Sequence, residues 1–543
     1  MPDIQETFTL PNGRRRYLKQ AIFRFLTWGA VILCIAFLIL LLGRMIVQGV
    51  HSFYHYQIIL PVHIDMTKTD IKDPYSPSQM DLKIASYSPL IQDALITKVS
   101  SARSYTDKKQ IFKFVSPEAA FQLRDYVLDN AQNIGTIERF AFDVASDVES
   151  YIKYYRDDLQ TYNFENRELK TLLEHPATNL QKGYGVFITK GSFRKFIPEM
   201  PCQKEKKADK DVIMCDIGMT DKTFFIRVSQ AYAKVNKIIF TKEGLETIYT
   251  TLMTPFEAAL VNEIKNWSIL KYDIPEARRK LGDLSLVTVE KFLHDGTLRS
   301  KLPNIPFFTN ADSRNAEQAG IAGAFIGSVM TLIVCLICAL PVGVAAAVYL
   351  EEFAPQNALT EFFEVNINNL ASVPSIIYGL LGLALLLNFF ELPRSSPLVG
   401  GIVLGIMSLP VMIISTRTAL RTVPNATRDA ALALGATKVQ TFFDHTLPAS
   451  IPGIMTGAVL SLSRAIGETA PLLLIGMVAF ISDIPQNIAD TATVLPVQIF
   501  LWTENPEIGY IERTAATIIV LLFLMVALNG CAIYLRNKFE QKY

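Results

Sequence analysis

The stretch 461–476 reads SLSRAIGETAPLLLIG. Arg464 and Glu468 are its only charged residues, and no other Asp, Glu, Lys or Arg lies between Asp444 and Asp483. A charge at mid-membrane costs roughly 2.5–3.5 kcal/mol on insertion scales, so such residues face a bundle interior or an aqueous cavity and mark transport paths. Arginine cannot discharge itself by losing a proton, whereas glutamate can gain one. The i,i+4 spacing places both on one face of a helix. Ser461, Ser463, Ala465 and Gly467 are small enough to let a second helix or a hydrated path come close. A guanidinium donates two parallel hydrogen bonds to two oxygens, which suits a phosphate-like oxyanion. Glu468 would then hold Arg464 when no anion is present. The alternative is an architectural ion pair, satisfied on one helix or bridging to a partner subunit. Ser375 and Tyr378 follow the helix-bending Pro374 and are further pathway candidates, although packing explains them as well.

Elements able to position such a pair are membrane spans. Half of the residues are hydrophobic, and they gather into long uncharged runs, so the chain does not read as wholly soluble. A spanning helix needs about 20 mostly apolar residues. Six segments qualify: 24–49, 320–350, 367–390, 397–416, 449–482 and 514–535. The first has a basic flank (Arg14, Arg15, Arg16, Lys19, Arg24) but is long for a signal peptide and lacks a small-x-small cleavage site, so it reads as a retained anchor. Basic loops stay in the cytoplasm. With six crossings, both termini and loop 417–448 fall inside, while residues 50–316 and 483–512 fall outside. Loop 351–366 gives this assignment no support, having four glutamates and no Lys or Arg. The formal net charge of +1 gives no reason to expect a nucleic-acid partner.

The expected organisation is a basic N-terminus (1–23), a first span (24–49), an external α+β domain (50–316) and a five-helix core (317–543). In the external part, SPEAAFQLRDYVLDNAQNIG reads as a helix capped by Ser116 and Pro117 and ended near Gly135. A second helical stretch is expected at 146–174, and strands at GVFIT, TFFIRVS and KIIF. Cys202 and Cys215 bracket a charged run, 204–211, expected as a solvated loop; in an oxidising compartment they are expected to form a disulfide. His51 and His55 have the spacing of a metal pair without an apparent third ligand and read as interfacial residues. Cys335 and Cys338, inside an uncharged span, read as apolar filler. No metal site is expected.

The loop between the fourth and fifth spans reads DAALALGATKVQTFFDHTLPASIPGIMTG, from Asp429 to Gly457. Pro424 and Asn425 can start a short helix, and Asp429 favours its positive end. Ala430, Ala431 and Ala433 keep it slim, and Gly435 can break it in a conformation other residues resist. Leu447 and Pro448 are expected to restart the chain toward the membrane. A slim helical hairpin of this kind suits insertion into another protein's groove.

The stretch resembles the EAA loop of bacterial ABC importer permeases: Glu-Ala-Ala, three residues, Gly, nine residues, Ile-x-Leu-Pro. Asp429, Ala430 and Ala431 fall on the triplet, Gly435 on the glycine, and Leu447 and Pro448 on the last pair; Asp429 replaces Glu, and His445 stands where Ile is usual. The resemblance implies that this loop docks on a separate ATPase. The chain has no G-x-x-x-x-G-K-[ST] phosphate loop, so it is expected to bind no cofactor itself, with ATP and Mg held by that partner.

SVPSIIYG (Ser372–Gly379), RAIGETAPLL (Arg464–Leu473) and TVLPVQIFLW (Thr493–Trp502) are similar to segments of the phosphate-specific permeases, over roughly residues 316–543. The resemblance implies inward transport of inorganic phosphate, with a sister permease subunit, a dimeric ATPase and an external phosphate-binding protein as partners. Some relatives carry an Arg and a Glu near the end of the fourth span, where this chain reads IISTRTAL, so pathway residues there are not carried over. A sulfate, molybdate or phosphonate permease is the alternative within the class. A membrane sensor would need a cytoplasmic output module, and the longest inside segment is about 30 residues. A membrane-embedded enzyme would need a nucleophile and base in the spans, yet the only histidine after His294 is His445, in the loop.

Overall fold

In the computed structural model, residues 13–539 are described except 72, 76, 103, 157–158, 173–183, 208–209, 218–221, 242, 255–263 and 274–280. The chain divides into two units: residues 1–53 with 321–543, and residues 54–320.

The first unit is helical. Among the described residues, five helices are long and apolar enough to cross a membrane: Lys19–Phe53, Ala322–Phe353, Pro397–Thr422, Lys438–Gly467 and Ile508–Lys538. A sixth crossing would have to come from a broken pair, Ala358–Ala371 and Ser375–Phe389, which bends by 99°. The segment expected as one span at 367–390 is therefore two helices. Pro374 explains the break, because proline disfavours the helical conformation in the residue before it and lacks an N–H to continue the ladder. Tyr378 staples the corner by donating its hydroxyl to the Leu370 carbonyl at 2.8 Å. The first helix leaves Phe25, Leu33 and Leu40 highly exposed, an apolar surface suited to lipid.

Helices Ala322–Val348 and Pro397–Thr422 approach closely because Gly400, Gly401 and Gly405 of the second leave room for Thr331, Val334, Cys335 and Cys338 of the first. Without a strong hydrophobic drive between helices in lipid, such close packing is what holds them. A methyl group at Gly401 would press on the Val334 side chain and lie 2.7 Å from the Thr331 carbonyl oxygen, which belongs to backbone and cannot swing away. Gly401→Ala should therefore cost about 1–3 kcal/mol, read as a lower melting temperature of the detergent-purified protein; an unchanged melting temperature would show that the pair can open without cost. Cys335 and Cys338 sit in this seam, Cys335 buried beside the Ser408 hydroxyl.

The second unit is α+β. A three-stranded antiparallel sheet has Tyr54–His63 between Leu298–Pro303 and Ile137–Asp143. Alternate residues Ile58, Leu60 and Val62 of the central strand are fully buried against helices that include Ala119–Asp129 and Asp283–His294. A nine-stranded antiparallel sheet forms a second core around Phe187, Phe224, Ile226, Ile248 and Ile269. The strands expected at GVFIT, TFFIRVS and KIIF lie in it as Tyr184–Lys190, Thr223–Val228 and Ala231–Phe240. The helix expected over 146–174 stops at Tyr155; Leu159–Phe164 and Lys170–Leu172 are strands instead. Tyr162 and Phe164 alternate there, Phe164 pairing across strands with Trp267 and Tyr162 packing on Phe196 of a short helical turn, so aromatic packing on the sheet overrides helix propensity.

Cys202 and Cys215 face each other across the hairpin Cys202–Lys207 and Lys210–Asp216 and are joined by a disulfide. The charged run expected as a loop is thus mostly strand. The bridge closes a separation of 13 residues, which in the chain-entropy picture stabilises by about 3 kcal/mol. Cys202→Ser with Cys215→Ser should loosen this unit while leaving membrane insertion intact, as read by limited proteolysis of residues 54–320 in the purified protein. Mass mapping without reductant that found both thiols free would refute the pairing. His51 donates through Nδ1 to the Val47 carbonyl at 2.8 Å, and His55 Nδ1 lies 3.4 Å from Asp143. No group of three metal-ligating side chains occurs among the described residues.

Candidate functional site

Two places in the helical unit gather the residues singled out in the sequence. The first is the loop 424–448. Helix Asn425–Ala433 starts after Pro424 and ends in a Schellman motif. The Ala436 N–H donates to the Ala431 carbonyl at 3.1 Å and the Gly435 N–H to the Leu432 carbonyl at 3.0 Å, with Gly435 at φ +91°. Thr437 then caps a new helix through a reciprocal capping box with Gln440. This second helix does not wait for Leu447 and Pro448 to restart it: it runs from Lys438 to Gly467, with a π turn at Phe442–Thr446. The wider turn just before Pro448 accommodates a ring that would otherwise clash with the carbonyl four residues earlier. Leu447 and Pro448 therefore lie inside a continuous helix.

Asp429 and Ala430 face outward while Ala431 is buried against the unit. Around the tip, Leu432, Leu434, Val439 and Phe443 are exposed, Leu434 at 90%. A projecting apolar knob flanked by small residues fits a hydrophobic groove on another protein. The motif spacing did not single out Leu434; its position at the helix C-cap, next to a left-handed glycine, is the signal that finds it.

The second place is the end of the same helix. Gly467 is its last residue, and Glu468 is already extended, at φ −81° and ψ 118°. The span expected to run through 482 stops here because the Pro471 ring would collide with the Gly467 carbonyl in a continued helix. A short helix, Ala470–Leu474, follows, and then irregular chain reversed at Gly476, φ +95°. Arg464 and Glu468 thus do not share the face of one helix; they flank a helix break. Arg464 Nε lies 3.7 Å from Glu468 Oε1, beyond hydrogen-bond distance, with the side chains 46% and 22% accessible. A side chain added at Gly467 would meet nothing within 4 Å, so the space beside the pair is open. Arg464 in the last turn also complements the negative end of the helix dipole.

Tyr378 lies close by: its helix, Ser375–Gly382, packs on Ala470–Leu474 so tightly that a methyl at Gly379 would lie 2.7 Å from Pro471 Cα. The structure therefore brings Arg464, Glu468 and Tyr378 into one neighbourhood, although the Tyr378 hydroxyl is already committed to Leu370. Ser375, half-buried at the start of its helix, shows no side-chain hydrogen bond among the described residues. Ser463 donates to Asn529 at 2.6 Å and ties the helix to the last one. A further charged pair escaped the sequence reading. Glu512 and Arg513, four to five residues into the helix Ile508–Phe539, are 3% and 2% exposed. Both precede the expected start of that span at 514, and Glu512 falls at the end of the loop expected over 483–512.

Residues 339–543 match the family described as "Binding-protein-dependent transport system inner membrane component", and residues 12–160 match a domain of unknown function, DUF3333. A probable ABC transporter permease of Bacillus subtilis, YqgI, is 33% identical over 213 residues, covering 37% of this chain and 71% of its own. The phosphate transport system permease protein PstA of Yersinia pestis is 31% identical over 217 residues, 40% of this chain and 72% of its own. That of Xylella fastidiosa is 31% identical over 249 residues, 45% and 85% of the two chains. A solved chain of the MetNI methionine ABC transporter in an inward-facing conformation aligns with 41% of this chain and 96% of its own, at 17% identity and a TM-score of 0.34. Permeases of this family are multi-pass inner-membrane proteins that work with a separate ATPase and a binding protein. The motif at 429–448 lies inside the matched residues 339–543, and with relatives at 31–33% identity covered over more than two thirds of their length the chain belongs to the binding-protein-dependent permeases of ABC importers, in the PstA group, and carries an N-terminal extension ahead of that core.

Proposed function

We propose that this chain is the transmembrane permease subunit of an ATP-driven importer of inorganic phosphate. The observation that carries the proposal is the similarity of its core to phosphate transport permeases over most of their length. The Arg464 site supports it: a guanidinium with its donors uncommitted at a helix break, beside open space, suits a tetrahedral oxyanion. In this reading Glu468 holds Arg464 in the empty path and yields to the anion. A sister permease completes the path, a phosphate-binding protein delivers the anion outside, and a dimeric ATPase drives alternating access from the cytoplasmic side. Loop 424–448 docks on that ATPase, with Asp429, Ala430, Ala431 and Gly435 shaping the contact, and both chain termini lie in the cytoplasm.

Deleting this protein in a strain without other phosphate carriers should abolish phosphate uptake. Normal phosphate uptake together with loss of sulfate, molybdate or phosphonate uptake would reassign the substrate within the oxyanions.

A further inference from the structure

The acidic loop at 351–366 fits poorly with a basic cytoplasmic face, and the structure gives it a purpose. Its glutamates meet the arginines of the next loop at one end of the helical unit. The helix Ala322–Val348 finishes in a π turn, Tyr349–Phe353, which carries Glu351 and Glu352. Arg417 near the end of helix Pro397–Thr422 donates from Nε to Glu351 at 3.1 Å and from Nη2 to Glu364 at 2.6 Å. Arg421, one turn later, donates to the other oxygen of Glu351 at 2.8 Å.

Arg428 extends the network into the docking loop. It belongs to helix Asn425–Ala433, yet its Nη2 donates to Glu352 at 2.7 Å and to the Leu420 carbonyl at 2.9 Å. Its Nη1 reaches the Val423 carbonyl at 3.3 Å and Asn425 Oδ1 at 3.0 Å. One guanidinium thus joins the docking helix, the end of helix Pro397–Thr422 and the π turn. Arg428 and Glu352 are 19% and 16% accessible as side chains, so water screens them little. Below the ion pairs, Phe353 packs edge-on against Phe442 at 6.1 Å. Phe442 opens the π turn that leads into the Arg464 helix. The two π turns, one on each helix, therefore meet at this corner.

A displacement of the docking helix can enter the spans from both of its ends. Its C-terminal exit turns at Gly435, held by the two Schellman hydrogen bonds, into the helix Lys438–Gly467. At its other side, short charge-assisted hydrogen bonds tie Arg428 to Glu352, and helix Ala322–Val348 is in turn wedged against Pro397–Thr422 through the glycine seam. We infer that Glu352 and Arg428, braced by Glu351, Glu364, Arg417 and Arg421, form a relay through which movement of the docking helix is passed to helices Ala322–Val348 and Pro397–Thr422. They are positioning residues: they touch no substrate. The inference rests on loop 424–448 being the ATPase dock and adds the route by which that dock acts.

The test uses the intact transporter, purified with its sister permease and ATPase and placed in proteoliposomes, measuring ATPase retention, ATP hydrolysis and phosphate moved per ATP. Glu352→Arg and Arg428→Glu should each lower phosphate moved per ATP roughly 2- to 30-fold while the ATPase stays bound and hydrolyses ATP. Combining the two reversals should recover much of the loss, because the pair is restored with its ends exchanged. The isosteric Glu352→Gln should uncouple in the same direction without disturbing assembly. Wild-type coupling in Glu352→Arg, a double variant no better than either single, or failure of Glu352→Gln to assemble would overturn the relay. A wild-type chain that did not retain the ATPase would instead refute the docking reading on which it rests.

Discussion

Arg464→Gln should lower phosphate uptake roughly ten- to a hundred-fold, while the complex with its sister permease and ATPase still forms. The size follows from removing a hydrogen bond to a charged group, worth about 1.5–3 kcal/mol, where glutamine keeps the length but loses the charge and the fork. Assembly should survive because Arg464 makes no hydrogen bond among the described residues, and its contact with Glu468 is 3.7 Å long. The helix is held by other means: Ser463 donates to Asn529, Gly457 receives Ser415, and Ala465 is fully buried. Arg464→Lys should recover part of the uptake, since it restores a point charge without the planar pair of donors. Glu468→Gln should spare assembly and alter the apparent affinity for phosphate, because it removes the group that competes with the anion for Arg464. Collapse of the complex on Arg464→Gln would show that the pair is architectural.

Gly435→Val should uncouple ATP hydrolysis from transport while leaving the protein inserted. Nothing lies within 4 Å of a side chain placed there, so the cost is not a clash. It is conformational: φ is +91°, a region where a side chain costs about 1–2 kcal/mol and a β-branched one is least at ease. The Schellman hydrogen bonds from Gly435 and Ala436 would open to relieve it. Leu434 and the end of the docking helix would then point away from their groove. Gly435→Ala should show the same defect more weakly. The readout is phosphate moved per ATP in the reconstituted transporter, with protein yield as the control; normal coupling in Gly435→Val would separate this turn from force transmission.

The helix and turn at 424–436 are legible in the sequence because they depend on local chemistry: a proline start, small residues, and a glycine whose left-handed conformation ends the helix. The strands of the unit 54–320 are equally legible where β-branched and aromatic residues fall between polar breaks. Other features depend on single breaker residues or on contacts that spacing does not reveal. The i,i+4 rule placed Arg464 and Glu468 on one helix face, but Pro471, three residues beyond Glu468, ends the helix between them. Hydropathy took 367–390 as one span because it averages over Pro374 and cannot see a 99° corner. The glutamates of 351–366 look misplaced when each loop is taken alone; the partners of Glu351, Glu352 and Glu364 are Arg417 and Arg421 at the end of helix Pro397–Thr422 and Arg428 of helix Asn425–Ala433. Glu512 and Arg513 were passed over because a charged turn at a helix start reads as loop, whether or not it is buried. Pro374 and Pro471 are local helix breakers that the period and hydropathy rules pass over, whereas for the glutamates a tertiary neighbour decides the outcome.

ATP-driven accumulation of radiolabelled phosphate by proteoliposomes tests the central claim most directly. The vesicles would hold this permease with its sister subunit and ATPase, with the binding protein outside. Phosphate should accumulate only with ATP, and excess sulfate or molybdate should leave its uptake unchanged. A complex that hydrolysed ATP and accumulated another oxyanion, but not phosphate, would contradict the account.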